Sequence, residues 1–306
     1  MRRALSLLVG LAVAAVLAEG LAVSFWDESG WLWELTPRQV SDVEVHRISE
    51  DPRLVYELRP NSAEMLDGPY GDRFVRINSL GFRGDEPAEG EYGFRVACLG
   101  GSNTFGASVS DHETWPARLQ ERLRVDHPDA EVFNLGVEGW MTRQKASVDL
   151  AELDVGLVLF QIYNEGRRFV LEGTLESSYA RFPELWSENF AGPRLPFSSG
   201  RLAVLGINRV FQDRIVHQKT ELAAQADREA FEAFVLDSPV EVVVVFPPVG
   251  GSDSAIRDLG LQVIDLAEHD QPFGDEGLDL HPQAKVYEWY ADVIAAELEG
   301  RGLLPP

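Results

Sequence analysis

The chain has little that could crosslink it or hold a polyanion. Its 306 residues include one cysteine, Cys98, so no intramolecular disulfide can form. No CxxC or HExxH spacing and no cluster of His with Cys occurs, which leaves a zinc site without support. Basic residues are scarce: 27 Lys and Arg stand against 50 Asp and Glu, a formal net charge of −23. Lysine is scarcer still, at Lys145, Lys219 and Lys285 alone. That balance argues against a nucleic-acid partner, which needs a basic surface, and suits a self-repelling, soluble exterior. No glycine-rich phosphate loop follows a strand in the dinucleotide pattern, so no cofactor is implied. No internal repeat is present. Hydrophobic residues nevertheless make up 45% of the chain, enough for a sizeable core.

Long apolar runs are also few, and the longest is terminal. Met1-Arg2-Arg3 precedes an apolar stretch from Ala4 to Ala18 that resumes after Glu19 and reaches Trp26. The two arginines orient it with its N-terminus in the cytoplasm. An uncleaved anchor would use the whole stretch, close to the ~20 residues a spanning helix needs. A cleaved signal peptide would use the small residues near Ala18 or Ala22. Either way the rest of the chain is expected outside the cytoplasm, anchored to the membrane or secreted.

Residues 27–93 lack long periodic segments and carry turn signals at Asp51-Pro52, Arg59-Pro60-Asn61 and Asp67-Gly68-Pro69. Arg73–Ile77 alternates like a short strand. This region reads as an extended lead that wraps a main domain at 94–306.

From Phe94 the pattern becomes strand and helix in alternation, the signature of a parallel sheet covered on both faces. Strands are expected at Phe94–Leu99, Glu131–Leu135, Val155–Ile162, Val240–Phe246 and Leu261–Leu266. Thr114-Trp115-Pro116 opens a helix with an N-cap and a first-turn proline. Further helices are expected over Thr142–Leu153, Leu222–Leu236 and Gln283–Glu299. Residues 169–236 interrupt the rhythm, with an irregular stretch to about Gln218 that reads either as a substrate region or as a packing excursion.

The run Val96-Ala97-Cys98-Leu99 stops at Gly100-Gly101-Ser102. A serine at the carboxyl edge of a parallel sheet can be a nucleophile when a base and an oxyanion site lie within reach. Other expected strand ends supply Gly139, Asn164, and Asp279 with His281. His112 is a rival base, and Asp265 and Asp275 are rival acids. Cys98, inside the apolar run, reads as a small core residue rather than a reactive thiol.

In these blocks the chain resembles the SGNH (GDSL-type) esterase and lipase superfamily, most closely its membrane-anchored bacterial members. The resemblance runs from about Asp51 to Leu298. It includes Asn78-Ser79-Leu80-Gly81-Phe82-Arg83-Gly84 at the end of the lead. The family's Gly-Asp-Ser is Gly100-Gly101-Ser102 here, with Gly101 in place of the acid. Its Asn with a Gly five residues on is Asn134 and Gly139. Its Gly-x-Asn-Asp is Ile162-Tyr163-Asn164-Glu165, with Ile162 and Glu165 as departures. Its closing acid and His-Pro pair are Asp279 and His281-Pro282.

The resemblance implies a three-layer α/β/α fold around a mostly parallel, five-stranded, flavodoxin-like sheet, with the terminal run as a transmembrane helix. It implies Ser102 as nucleophile and His281 as base, oriented by Asp279 or by a backbone carbonyl. The N–H groups of Ser102 and Gly139 and the side-chain amide of Asn164 would bind the oxyanion. The expected activity is hydrolysis of an ester on an acylated glycan, a lipid or a small molecule, without metal or cofactor. The alternatives are an envelope polysaccharide O-acetyltransferase or deacetylase, and a non-catalytic glycan-binding protein.

Overall fold

The computed structural model describes residues 45–51, 53–54, 56–66, 70–88, 93–162, 227–249, 254–274 and 281–305, together with Gly10, 13–19 and Gln225. Two units are distinguished, Glu44–Arg167 with Ala223–Pro306, and Met1–Val43 with Arg168–Leu222. Of the latter only Gly10 and the helical residues 13–19 are described. Among the described residues no helix is long and apolar enough to cross a membrane. Most of the expected terminal span lies outside them.

Among the described residues the first unit holds nine strands. Two antiparallel hairpins come first, β1 (His46–Ile48) with β2 (Tyr56–Leu58), and β3 (Ser62–Leu66) with β4 (Arg73–Ile77). Of these four, the sequence pattern marks only β4. Its burial alternates along the strand, whereas β1 and β2 are three residues each, too short to carry a period.

The main sheet follows: β5 (Phe94–Gly100), β6 (Ala130–Gly136), β7 (Leu157–Gln161), β8 (Glu241–Phe246) and β9 (Gln262–Asp265). All five are parallel and lie in the order β6-β5-β7-β8-β9. β7 and β8 are buried on both faces along almost their whole length, which explains why they read as continuous apolar runs, whereas the edge strand β9 begins exposed at Gln262. β5 is flanked by β6 on one side and β7 on the other, so the chain reverses its direction of travel there. The crevice at such a switch point, beyond the carboxyl ends, is where open α/β sheets bind ligands.

Between the strands lie α1 (Ser102–Phe105), α2 (Trp115–Leu123), α3 (Thr142–Lys145), a helix α4 at 227–237 and α5 (Ser254–Arg257), and after the last strand comes α6 (Ala284–Gly300). Thr114 caps α2 by accepting the Ala117 N–H at 3.3 Å, with Pro116 in the first turn. Side chains of alternate strand residues form two separate cores. Val96, Cys98, Leu157, Leu159, Val243 and Val245 meet Trp115 and Leu119 of α2 and Tyr287, Tyr290 and Ile294 of α6. Ala97, Leu99, Val158, Phe160, Val242 and Val244 meet Phe231 of α4 and Ile256 of α5. The architecture is therefore three-layer α/β/α.

The helix expected over Thr142–Leu153 is a single turn, α3. Ser147 Oγ donates back to the Arg143 carbonyl at 2.8 Å, and the Asp149 carboxylate accepts the Ala151 N–H at 2.9 Å. Such side-chain bonds offer the backbone a turn in place of the next helical turn. Buried Lys145 ties α3 to β7 by donating from Nζ to the Gln161 carbonyl at 3.2 Å.

Candidate active site

Ser102 starts α1 immediately after β5, and two glycines let α1 settle onto the strand ends. A Cβ on Gly100 would lie 1.8 Å from Thr104 Oγ1, and one on Gly136 would lie 2.2 Å from the Phe105 nitrogen. Any side chain at either position would lift α1 off the sheet. The helix closes at Gly106, whose φ of 87° is the left-handed conformation that glycine adopts without strain.

Below α1 lies a buried polar network. Thr104 Oγ1 donates to Gln161 Oε1 at 2.7 Å, and Gln161 Nε2 donates to Asn103 Oδ1 at 2.9 Å. Gln161 ends β7, so both strands of the switch point hold the serine turn. From the other side, Asn134 on β6 accepts the Gly136 N–H at 3.0 Å and directs its amide to the Phe105 carbonyl at 3.4 Å.

His281 comes to this turn from 179 residues away, with Nε2 2.8 Å from Ser102 Oγ. Its neighbour is fastened as well: Ser108 Oγ donates to the Pro282 carbonyl at 2.5 Å. Ser108 is a positioning residue that sequence reasoning missed, since nothing in its surroundings marks it out before the fold is known. Of the rivals, His112 is exposed on a 3-10 turn. Asp265 is committed to an ion pair with Arg257 and to the Ala267 N–H, 3.0 Å away.

Gly139 lies in the loop after β6 with φ at 78°. This loop runs beside the serine turn: Val137 N–H donates to the Gly100 carbonyl at 3.2 Å, and the Trp140 carbonyl stands 3.4 Å from where a Gly101 Cβ would be. Asn164, Glu165, Asp275 and Asp279 lie outside the described residues. Ile162 is buried at the end of β7.

Burial pushes the Cys98 thiol well above its ordinary range, which keeps it neutral and inert in the core. Burial also lowers the Arg83 guanidinium, against the opposing pull of Asp111. Arg83 nonetheless donates to the Phe105 and Gly106 carbonyls at 2.7 Å and to the Val109 carbonyl at 2.6 Å. The lead thereby fastens the C-terminal end of α1. Among the described residues no group of three or more His, Cys, Asp or Glu side chains could hold a metal ion.

No protein-family model and no curated protein matches the chain. Solved structures similar to it include the lipase/acylhydrolase from Enterococcus faecalis, 16% identical, with 68% of this chain and 96% of that chain covered and a TM-score of 0.39. A carbohydrate acetylesterase family member from Sinorhizobium meliloti is 16% identical over 69% of this chain and 99% of that chain, with a TM-score of 0.35. A two-domain esterase active on acetylated mannans is 14% identical, with 70% and 51% covered and a TM-score of 0.40. Likeness at this level decides neither the reaction nor the substrate, which rest on the residues themselves.

Proposed function

We propose that the chain is an SGNH-type serine hydrolase that acts on carboxylic esters outside the cytoplasm. The observation that carries this reading is the 2.8 Å contact between Ser102 Oγ and His281 Nε2 at the carboxyl edge of the sheet. A histidine within hydrogen-bond reach of a serine at a sheet switch point is the pairing that nucleophilic acyl transfer needs.

In this mechanism His281 takes the Ser102 proton as Oγ attacks the ester carbonyl. The tetrahedral oxyanion is bound by the Ser102 and Gly139 N–H groups and the Asn164 amide. Collapse expels the alcohol, which His281 protonates, and leaves an acyl-Ser102 ester. Water, deprotonated by His281, then attacks this ester, and collapse releases the acid as His281 returns the proton to Ser102 Oγ. Asp279 is the proposed acid that orients the imidazole. The substrate class is an acylated glycan, a lipid or a small ester. The arginine-led apolar terminus supports a membrane anchor for the enzyme.

A fluorophosphonate probe and a p-nitrophenyl acetate assay on the full-length chain test the reading. Wild type is expected to be labelled at Ser102 and to hydrolyse the ester. Ser102→Ala is expected to lose labelling and at least about 10⁴-fold in kcat. Equal hydrolysis by wild type and Ser102→Ala would overturn the assignment.

A further inference from the structure

The lead contributes more than a covering to the site, because it grips the loop that carries Gly139. Tyr56, buried on β2, donates its hydroxyl to the Glu138 carbonyl at 2.7 Å. Trp140 Nε1 donates in return to the Tyr56 carbonyl at 2.8 Å. Gln144 Nε2 donates to the Leu54 carbonyl at 2.6 Å, and Arg73 on β4 pairs with the Glu138 carboxylate at 3.7 Å. The hydrogen-bonded partners are 82 to 90 residues apart in the chain.

One of these bonds has a direct chemical consequence. The Glu138 carbonyl and the Gly139 N–H belong to the same peptide plane, and the peptide is trans. In a trans peptide the two groups point in opposite directions. A hydroxyl that holds the carbonyl therefore fixes the direction of the N–H, away from the lead. The other side of this loop faces the serine turn, where the Trp140 carbonyl approaches Gly101. A donor on the carbonyl also polarises the N–H beyond it, since linked hydrogen bonds strengthen one another.

We propose that Tyr56 is a positioning residue of the oxyanion hole, which aims and polarises the Gly139 N–H through the Glu138 carbonyl. This rests on the ester-hydrolase reading above and adds a residue from outside the 94–306 region. Gly139 at its positive φ supplies a peptide that can be turned, and the phenol sets how far it turns.

The test is Tyr56→Phe in the full-length chain, which removes one oxygen and leaves the backbone carbonyl that Trp140 uses. Ser49→Ala is the control, because Ser49 bonds Glu57 within the same hairpin at 2.7 Å without facing the loop. For Tyr56→Phe, kcat on p-nitrophenyl acetate is expected to fall on the order of tenfold with KM within about twofold. Its Gly139 amide proton is expected to move upfield in the ¹H–¹⁵N spectrum. Ser49→Ala is expected to leave both unchanged. An unchanged kcat or an unmoved Gly139 amide in Tyr56→Phe would overturn the proposal. So would an equal loss in Ser49→Ala, which would make the effect one of hairpin stability. A wild type without Ser102-dependent hydrolysis would overturn the ester-hydrolase reading instead.

Discussion

Gly101 stands at the position where the resembled family carries an acid, and the structure shows what surrounds that position. A Cβ at Gly101 would make ordinary contacts. The nearest atoms would be the Trp140 carbonyl at 3.4 Å, then Lys145 Cε at 3.9 Å and Nζ at 4.0 Å. A buried ammonium thus lies against the vacant position. Gly101→Asp is expected to fold and to keep kcat/KM within about threefold, because the new carboxylate meets a cation rather than an apolar wall. Gly101→Leu sets an apolar side chain against that ammonium and is expected to lower the midpoint of thermal unfolding by several degrees, roughly 1–3 kcal/mol. Calorimetry with ester hydrolysis separates the two. An unfolded Gly101→Asp would mean that the position excludes a carboxylate.

Among the elements, α1 decides where the nucleophile stands, and Gly136 decides where α1 stands. A methyl group at Gly136 would meet the backbone of Thr104 and Phe105, which cannot swing aside as a side-chain tip can. Gly136→Ala is therefore expected to cost about 1–3 kcal/mol and, by displacing α1 from His281, more than about tenfold in kcat/KM. Gly300→Ala at the end of α6 is the matched control, with nothing within 4 Å of the added carbon. It is expected to match or slightly exceed wild type in stability. Equal activity in the two variants would show that α1 can shift without consequence.

For the whole molecule, the readable parts of the sequence were those whose physics is local. Strands such as β5 could be placed because an apolar run buried on both faces ends abruptly, as β5 does at Gly100-Gly101. Ser102 and His281 stood out as candidates because each stands at such an end or opens a helix, and the resemblance to the family paired them. The truncation of α3 was hidden, since the competing bonds of Ser147 and Asp149 outweigh an amphipathic pattern that suits a helix. The lead was the least readable part. Tyr56 and Leu54 bond partners 82 and 90 residues away, and no local spacing records such contacts.

The same scale holds the question of the membrane. The terminal run supports an anchor, so the full-length chain expressed in a bacterial host is expected to stay in the membrane fraction through an alkaline carbonate wash. Release by the wash, or a mature N-terminus beginning near residue 19 or 23, would point to peripheral binding or to a cleaved signal.

The 179 residues between Ser102 and His281 also set a schedule. A ribosome releases the nucleophile, its glycine turn and most of the sheet well before it reaches the base. Under the proposed roles, every unfinished chain carries a serine without a base, and a message cut short before His281 gives an inactive product. Hydrolysis begins only when the last loop and α6 have been made and have docked. Activity is then a receipt for translation through α6.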